Sequence, residues 1–201
     1  MILGITGSFG AGKSTVREEF SALGWQFFDA DEICHLIYAG KEGTFFTRIT
    51  ETWGREILSP AGNIDRKKLA AKVFGKPQEL KKLTDILYPE LDKRLVEAIR
   101  NCRERQQNGA FEIPLLFENN YEKYFDAVLT VWGASSVRHK RLREMRHFTD
   151  EEIRKRENQQ LPSDEKLEKA DFALINNGSK ELLRRQINDL MIKITNGKKD
   201  E

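Results

Sequence analysis

The chain has 201 residues, with 34 Lys plus Arg against 32 Asp plus Glu and a formal net charge of +2. At that length roughly 70% of the unfolded surface can be buried, so one domain with a substantial core is expected without staples. The near-cancellation of charge provides no global field for nucleic acid or an anionic membrane, and leaves any basic function to a local cluster. Cys34 and Cys102 have no CxxC or Cys/His ligand spacing around them and read as reduced thiols in helical segments. Met1 to Gly7 enters a strand and a glycine loop rather than a signal sequence, and no apolar run approaches the roughly 20 residues that span a bilayer. A cytoplasmic protein with no membrane or nucleic-acid partner is the expectation.

Ile2 to Thr6 is the first of five short apolar runs. Val16, Phe20 and Leu23 follow at helical spacing, with Gly24 as the residue that stops the helix. After a second run, Trp25 to Phe28, the span 32–108 has helical periodicity, with Leu69, Val73 and Phe74, then Leu83, Ile86 and Leu87, then Leu91, Leu95 and Ile99. The third and fourth runs are Ala110 to Leu116 and Ala127 to Trp132. Residues 138–169 are highly charged and contain Pro162, which interrupts any helix there, so the segment reads as a mobile flap. The fifth run is Phe172 to Ile175, and the polar ending from Asn196 to Glu201 reads as a frayed tail. Strands alternating with helices give an α/β chain with a parallel sheet of βαβ units. Its core is expected at 1–31, 109–137 and 170–195, with a helical insertion at 32–108 and the flap at 138–169.

Gly7-Ser8-Phe9-Gly10-Ala11-Gly12-Lys13-Ser14 fits GxxxxGK[ST] and falls between an expected strand and an expected helix, the context that gives this phosphate loop its meaning. The backbone N–H groups of Gly10, Ala11 and Gly12 can curl around phosphate oxygens, and the helix start near Lys13 adds a favourable dipole. Lys13 is expected on the β- and γ-phosphates of ATP, Ser14 on Mg²⁺, and Thr15 on the α-phosphate. The guanine-reading NKxD and the switch DxxG of GTPases occur nowhere in the chain, and the third run carries Glu112 inside it and Pro114 after that, unlike the continuous apolar strand of motor ATPases. A kinase acting on small molecules needs an acid near its acceptor and arginines over the transferring phosphoryl group.

Asp29-Ala30-Asp31 closes the second run, where strand ends of a parallel sheet border the ligand crevice. One carboxylate there can take a hydroxyl proton, and either can instead cap the next helix. Arg138 to Arg156 is rich in Lys and Arg but is interrupted by Glu144, Asp150, Glu151 and Glu152, so a solvated or triphosphate-clamping lid fits it better than a nucleic-acid surface.

With these motifs the chain resembles the dephospho-coenzyme A kinase family. The matching residues run in order through Thr6-Gly7 and the phosphate loop, Asp29-Ala30-Asp31, Gly62-Asn63-Ile64-Asp65-Arg66, Pro114-Leu115-Leu116-Phe117-Glu118, Arg141, Gln160, Ala170-Asp171 and Asn176-Asn177-Gly178. The resemblance implies a three-layer P-loop NTPase fold with a five-stranded parallel sheet, a helical insertion that binds the coenzyme, and a lid. It also implies ATP and Mg²⁺ as cofactors and dephospho-CoA as the small-molecule substrate, phosphorylated on its ribose 3′-hydroxyl. Asp31 then maps to the base, Arg141 to the lid arginine and Asn176 to an adenine-side contact. Tyr88 precedes Pro89 where the family usually has histidine, Met145 replaces a usual second lid arginine, and Trp132 replaces an acid often found after the fourth strand. The alternatives are a kinase for a nucleoside monophosphate or a sugar acid, and a non-catalytic ATP-binding module.

Overall fold

Short runs rich in apolar residues form the five strands of one sheet in a computed structural model that describes residues 1–196. They are β1 (Ile2–Thr6), β2 (Gln26–Asp29), β3 (Gly109–Glu112), β4 (Ala127–Trp132) and β5 (Phe172–Ile175), in the spatial order β2-β3-β1-β4-β5. β1 pairs in parallel with β3 on one side and β4 on the other, and β4 with β5. Every residue of β1 is buried, as a central strand covered on both faces requires. The helices are α1 (Lys13–Ala22), α2 (Ala30–Ala39), α3 (Thr44–Trp53), α4 (Arg66–Val73), α5 (Pro77–Glu104), α6 (Ser135–Arg146), α7 (Asp150–Glu157), α8 (Ser163–Lys169) and α9 (Lys180–Asn196). Beyond Asn196, the expected frayed ending lies outside the described residues.

Two strands differ from the sequence reading at both ends, β2 running Gln26–Asp29 against Trp25 to Phe28 and β3 Gly109–Glu112 against Ala110 to Leu116. β3 stops at Glu112 rather than continuing to Leu116, because Pro114 has no N–H for a ladder. Ile113 makes the last rung, donating to Ile5 O at 2.8 Å, after which Leu116 is buried without being a strand residue. β2 begins at Gln26, because the Trp25 N–H closes onto Phe20 O at 3.1 Å and its ring meets Phe20 with centroids 5.2 Å apart. α1 ends as expected, with Gly24 at φ +82° beyond its last turn.

The chain divides into two compact units, residues 29–101 and the remainder. The sheet unit is built on Leu3, Ile5, Val16, Phe20, Leu129, Val131 and neighbouring apolar side chains. The helical unit has its own cluster, including Ile37, Phe45, Ile49, Trp53, Leu69, Leu83 and Ile86. There Asp65 caps α4 by accepting from the N–H groups of Lys67 and Lys68, and the Trp53 indole donates to Glu79 at 2.8 Å. α5 is one helix of 28 residues that continues through Pro89, joining stretches that the periodicity separates.

Candidate active site

β1 is the central strand, and its neighbours lie on opposite sides, so the loop that leaves it sits at the switch point where parallel sheets bind ligands. That loop is the phosphate loop. Gly12 is the N-cap of α1 at φ +96°, and a Cβ there would collide with the Asn176 amide. Ala11 N–H donates to Ser8 O and Thr15 N–H to Gly12 O, which curls Gly10, Ala11 and Gly12 into the start of the helix. Lys13 turns back across the loop: its ammonium donates to Gly7 O at 2.9 Å and reaches Ser8 O at 3.5 Å, with Glu112 Oε1 4.0 Å away. Ser14 is exposed in the first turn of α1. A hydroxyl there is a hard oxygen donor of the kind Mg²⁺ takes together with phosphate oxygens, so the loop fits that ion. No cluster of three or more His, Cys, Asp or Glu side chains among the described residues would hold a metal without them.

Asn176 follows β5 and is buried. Its Nδ2 donates to Ala11 O at 2.8 Å, its N–H to Trp132 O at 2.7 Å, and its carbonyl accepts from Arg141 at 2.8 Å. The amide nitrogen of this candidate adenine contact thus serves the phosphate loop. Arg141 on α6 spans two carbonyls, Asn176 O and Gly178 O, at 2.8 and 2.9 Å. A guanidinium has N–H donors beyond the two used here. Arg143 instead pairs with exposed Asp150, and Met145 is exposed.

Two buried cations in the same unit were not singled out by pattern. Arg138 is only 5% exposed, donating to Gly133 O and Phe9 O and pairing with Glu157, which also meets His139. Lys166 is fully buried, 2.6 Å from Pro114 O and 2.8 Å from Glu118 Oε1, and burial holds its ammonium below the usual lysine range against the pull of Glu118. Glu118 also accepts from Leu161 N–H at 2.7 Å. Arg138 and Lys166 sit in charged stretches, where nothing in sequence distinguishes an inward cation from a solvated one. Trp132 donates its indole N–H to Asp164 at 2.7 Å, a partner that accounts for an indole at this position.

The Asp29-Ala30-Asp31 triplet opens the helical unit. Asp29 is the N-cap of α2, its Oδ1 accepting from Asp31 N–H at 2.8 Å, and half-burial raises its carboxyl above the usual range. The cap reading therefore holds for Asp29, while the Asp31 side chain is exposed in the first turn. One turn on, burial pushes the Cys34 thiol up to about 11, helped by the negative charge of Asp31. His35 is exposed on α2, and Tyr88 packs against the apolar cluster of its unit.

The dephospho-CoA kinase family model matches residues 1–181. A dephospho-CoA kinase of Geobacillus kaustophilus is 37% identical over 188 residues, spanning 93% of this chain and 93% of its own. Another, from Aquifex aeolicus, is 34% identical over 193 residues, spanning 96% of this chain and 97% of its own. Among solved structures, a Thermus thermophilus protein matches with a TM-score of 0.74 at 31% identity, over 96% of this chain and 97% of that one. The dephospho-CoA kinase of Campylobacter jejuni shares the fold, with a TM-score of 0.70 at 24% identity over 96% of both chains.

Proposed function

Because the chain belongs to the dephospho-CoA kinase family, we propose how its own residues divide the reaction: transfer of the ATP γ-phosphoryl group to the 3′-hydroxyl of dephospho-CoA, the last step of coenzyme A synthesis. The loop amides of Gly10, Ala11 and Gly12 cradle the phosphates, Lys13 leaves its carbonyl partners for the β- and γ-phosphates, and Thr15 steadies the α-phosphate. Ser14 holds Mg²⁺, which when bound offsets phosphate charge. Asp31 accepts the 3′-hydroxyl proton as that oxygen bonds to the γ-phosphorus and ADP departs. Arg141 turns its planar donors toward the migrating phosphoryl oxygens. The turn beginning at Asn176 borders the adenine, residues 138–169 act as the lid, and the insertion at 32–108 receives the pantetheine-bearing substrate.

The single observation that carries the reading is the phosphate loop, formed at the switch point of a chain that the family model matches from residue 1 to 181. For Asp31 the support is its exposure beside a cap supplied by Asp29, which leaves the second carboxylate available to a substrate. For Arg141 the support is its anchorage on the loop after β5, which itself reaches Ala11 through Asn176. A coupled ADP-release assay with Mg-ATP tests the function: dephospho-CoA should be turned over far faster than AMP, CMP, UMP or gluconate. Preference for a monophosphate or gluconate would overturn this reading in favour of another small-molecule kinase. A protein that binds ATP but turns over none of these acceptors would be a binding module.

A further inference from the structure

Phe9, in the middle of the phosphate loop, is gripped by the charged segment that follows β4. Its N–H donates to Gln160 Oε1 at 3.0 Å, and its carbonyl accepts from buried Arg138 at 2.8 Å. Its ring meets Phe148 edge-on, with centroids 5.1 Å apart and planes at 82°. The Arg156 guanidinium carbon lies 4.9 Å from the Phe9 centroid and 5.1 Å from that of Phe148. α6, the α6–α7 turn, α7 and the turn after α7 thus each bring a side chain to this one residue. Next to it, the hydroxyls of Ser8 and Ser163 are 2.5 Å apart.

The phosphate-loop pattern sets no requirement for an aromatic at this position, and cradling a phosphate needs only backbone amides. A ring here has a different use. Edge-to-face and cation–π contacts are directional, and both polar groups of the Phe9 peptide are committed to the same segment. Arg138 is itself held by Gly133 O and Glu157, so its grip on the loop is rigid. One turn further along α6, Arg141 returns to the loop through Asn176 and Ala11. The phosphate loop and segment 138–163 are therefore tied at two places one turn apart along α6.

Resting on the kinase reading above, we propose that Phe9 is a positioning residue: it locks segment 138–163 to the phosphate loop, so that Arg141 meets the phosphoryl group in register with Lys13. A positional error at a transferring group costs rate while leaving nucleotide affinity largely in place. If Phe9 served only as packing, its loss would appear in thermal stability and not in turnover.

The test compares wild type, Phe9→Ala, Arg156→Gln, their double variant and Phe9→Tyr. Phe9→Ala should lower kcat by roughly 10- to 100-fold with KM for ATP within about threefold, and Phe9→Tyr should stay within about twofold of wild type. Arg156, exposed on α7, acts through the ring, so the double variant should fall within about twofold of Phe9→Ala instead of multiplying the two losses. Limited trypsin digestion with bound ADP gives a readout independent of transfer: cleavage at Arg143 to Arg156 should be slow in wild type and fast in Phe9→Ala. Unchanged kcat and unchanged digestion in Phe9→Ala, or losses that simply multiply, would overturn the proposal. The digestion decides the lock even if wild type leaves dephospho-CoA untouched, a result that would overturn the functional reading alone.

Discussion

In the sheet unit, polar side chains reach partners far along the chain: Asn176 to Ala11, Arg138 to Phe9, Lys166 to Pro114 and Glu118. In the helical unit many are held within a turn, as with Asp29 capping Asp31, Asp65 capping Lys67 and Lys68, and the pairs Lys81–Asp85, Lys82–Glu79 and Arg94–Glu90. Pairs of that kind contribute little, because water screens them, so the helical unit rests on its apolar cluster. Around the phosphate loop, by contrast, the groups that shape the site also hold the unit together. Substituting those long-range partners should register in turnover and stability together, whereas the Asp31 carboxylate can be neutralised with little loss of stability.

Lys13→Ala should bear most heavily on the reaction, lowering kcat by about 10³-fold or more, since loop amides cannot replace an ammonium charge. Its ammonium donates to carbonyls of its own loop and lies 4.0 Å from Glu112 Oε1, so the melting temperature should move less than at Lys166; kcat and Tm measured together check both statements. Asp31→Asn should cost roughly 10²–10⁴-fold in kcat with Tm unchanged, because the amide keeps shape and backbone contact while removing the base. A loss confined to Tm, or a larger kcat loss in Asp29→Asn, would move the role to the capping residue.

Lys166→Ala strips a fully buried partner from Glu118 and Pro114 O, and should cost roughly 3–5 kcal/mol. A thermal melt should show it as a drop of about 6 °C or more for a chain of this size. Turnover should fall too, because Leu161 and the Gln160 turn hang on the same carboxylate; a stable, fully active variant would show that the long-range bonds are dispensable. The smallest effect concerns Cys34. With its thiol near 11, alkylation by iodoacetamide at pH 8 should run roughly 100-fold slower than at an ordinary thiol. Asp31→Asn should speed it by much less than burial slows it, since burial is the larger cause. Mass spectrometry of timed samples measures both rates.

The parts legible in sequence were those with local causes. β1, β4 and β5 fall on their apolar runs residue for residue, and the phosphate loop lies where its glycines place it. Ile113 and Leu116 misled at β3, because burial alone does not make a strand and Pro114 breaks the ladder. Capping by Asp29 follows from the ordinary preference of aspartate for that position. Arg138, Glu157 and Lys166 could not be read in advance: whether a charged side chain turns inward depends on carbonyls and carboxylates that only the tertiary fold brings near. The indole of Trp132 is the same case, its partner Asp164 lying 32 positions away.

Product regiochemistry tests the central statement most directly. Dephospho-CoA is incubated with Mg-ATP and the product examined by mass and by ³¹P and ¹H NMR, alongside adenosine analogues that lack the pantetheine arm. One added phosphate on the ribose 3′ oxygen is expected, with the truncated analogues poor in kcat as well as in binding, because remote contacts help fix the hydroxyl in line with the γ-phosphate. Phosphate on any other oxygen, or equal turnover of the truncated analogues, would contradict it.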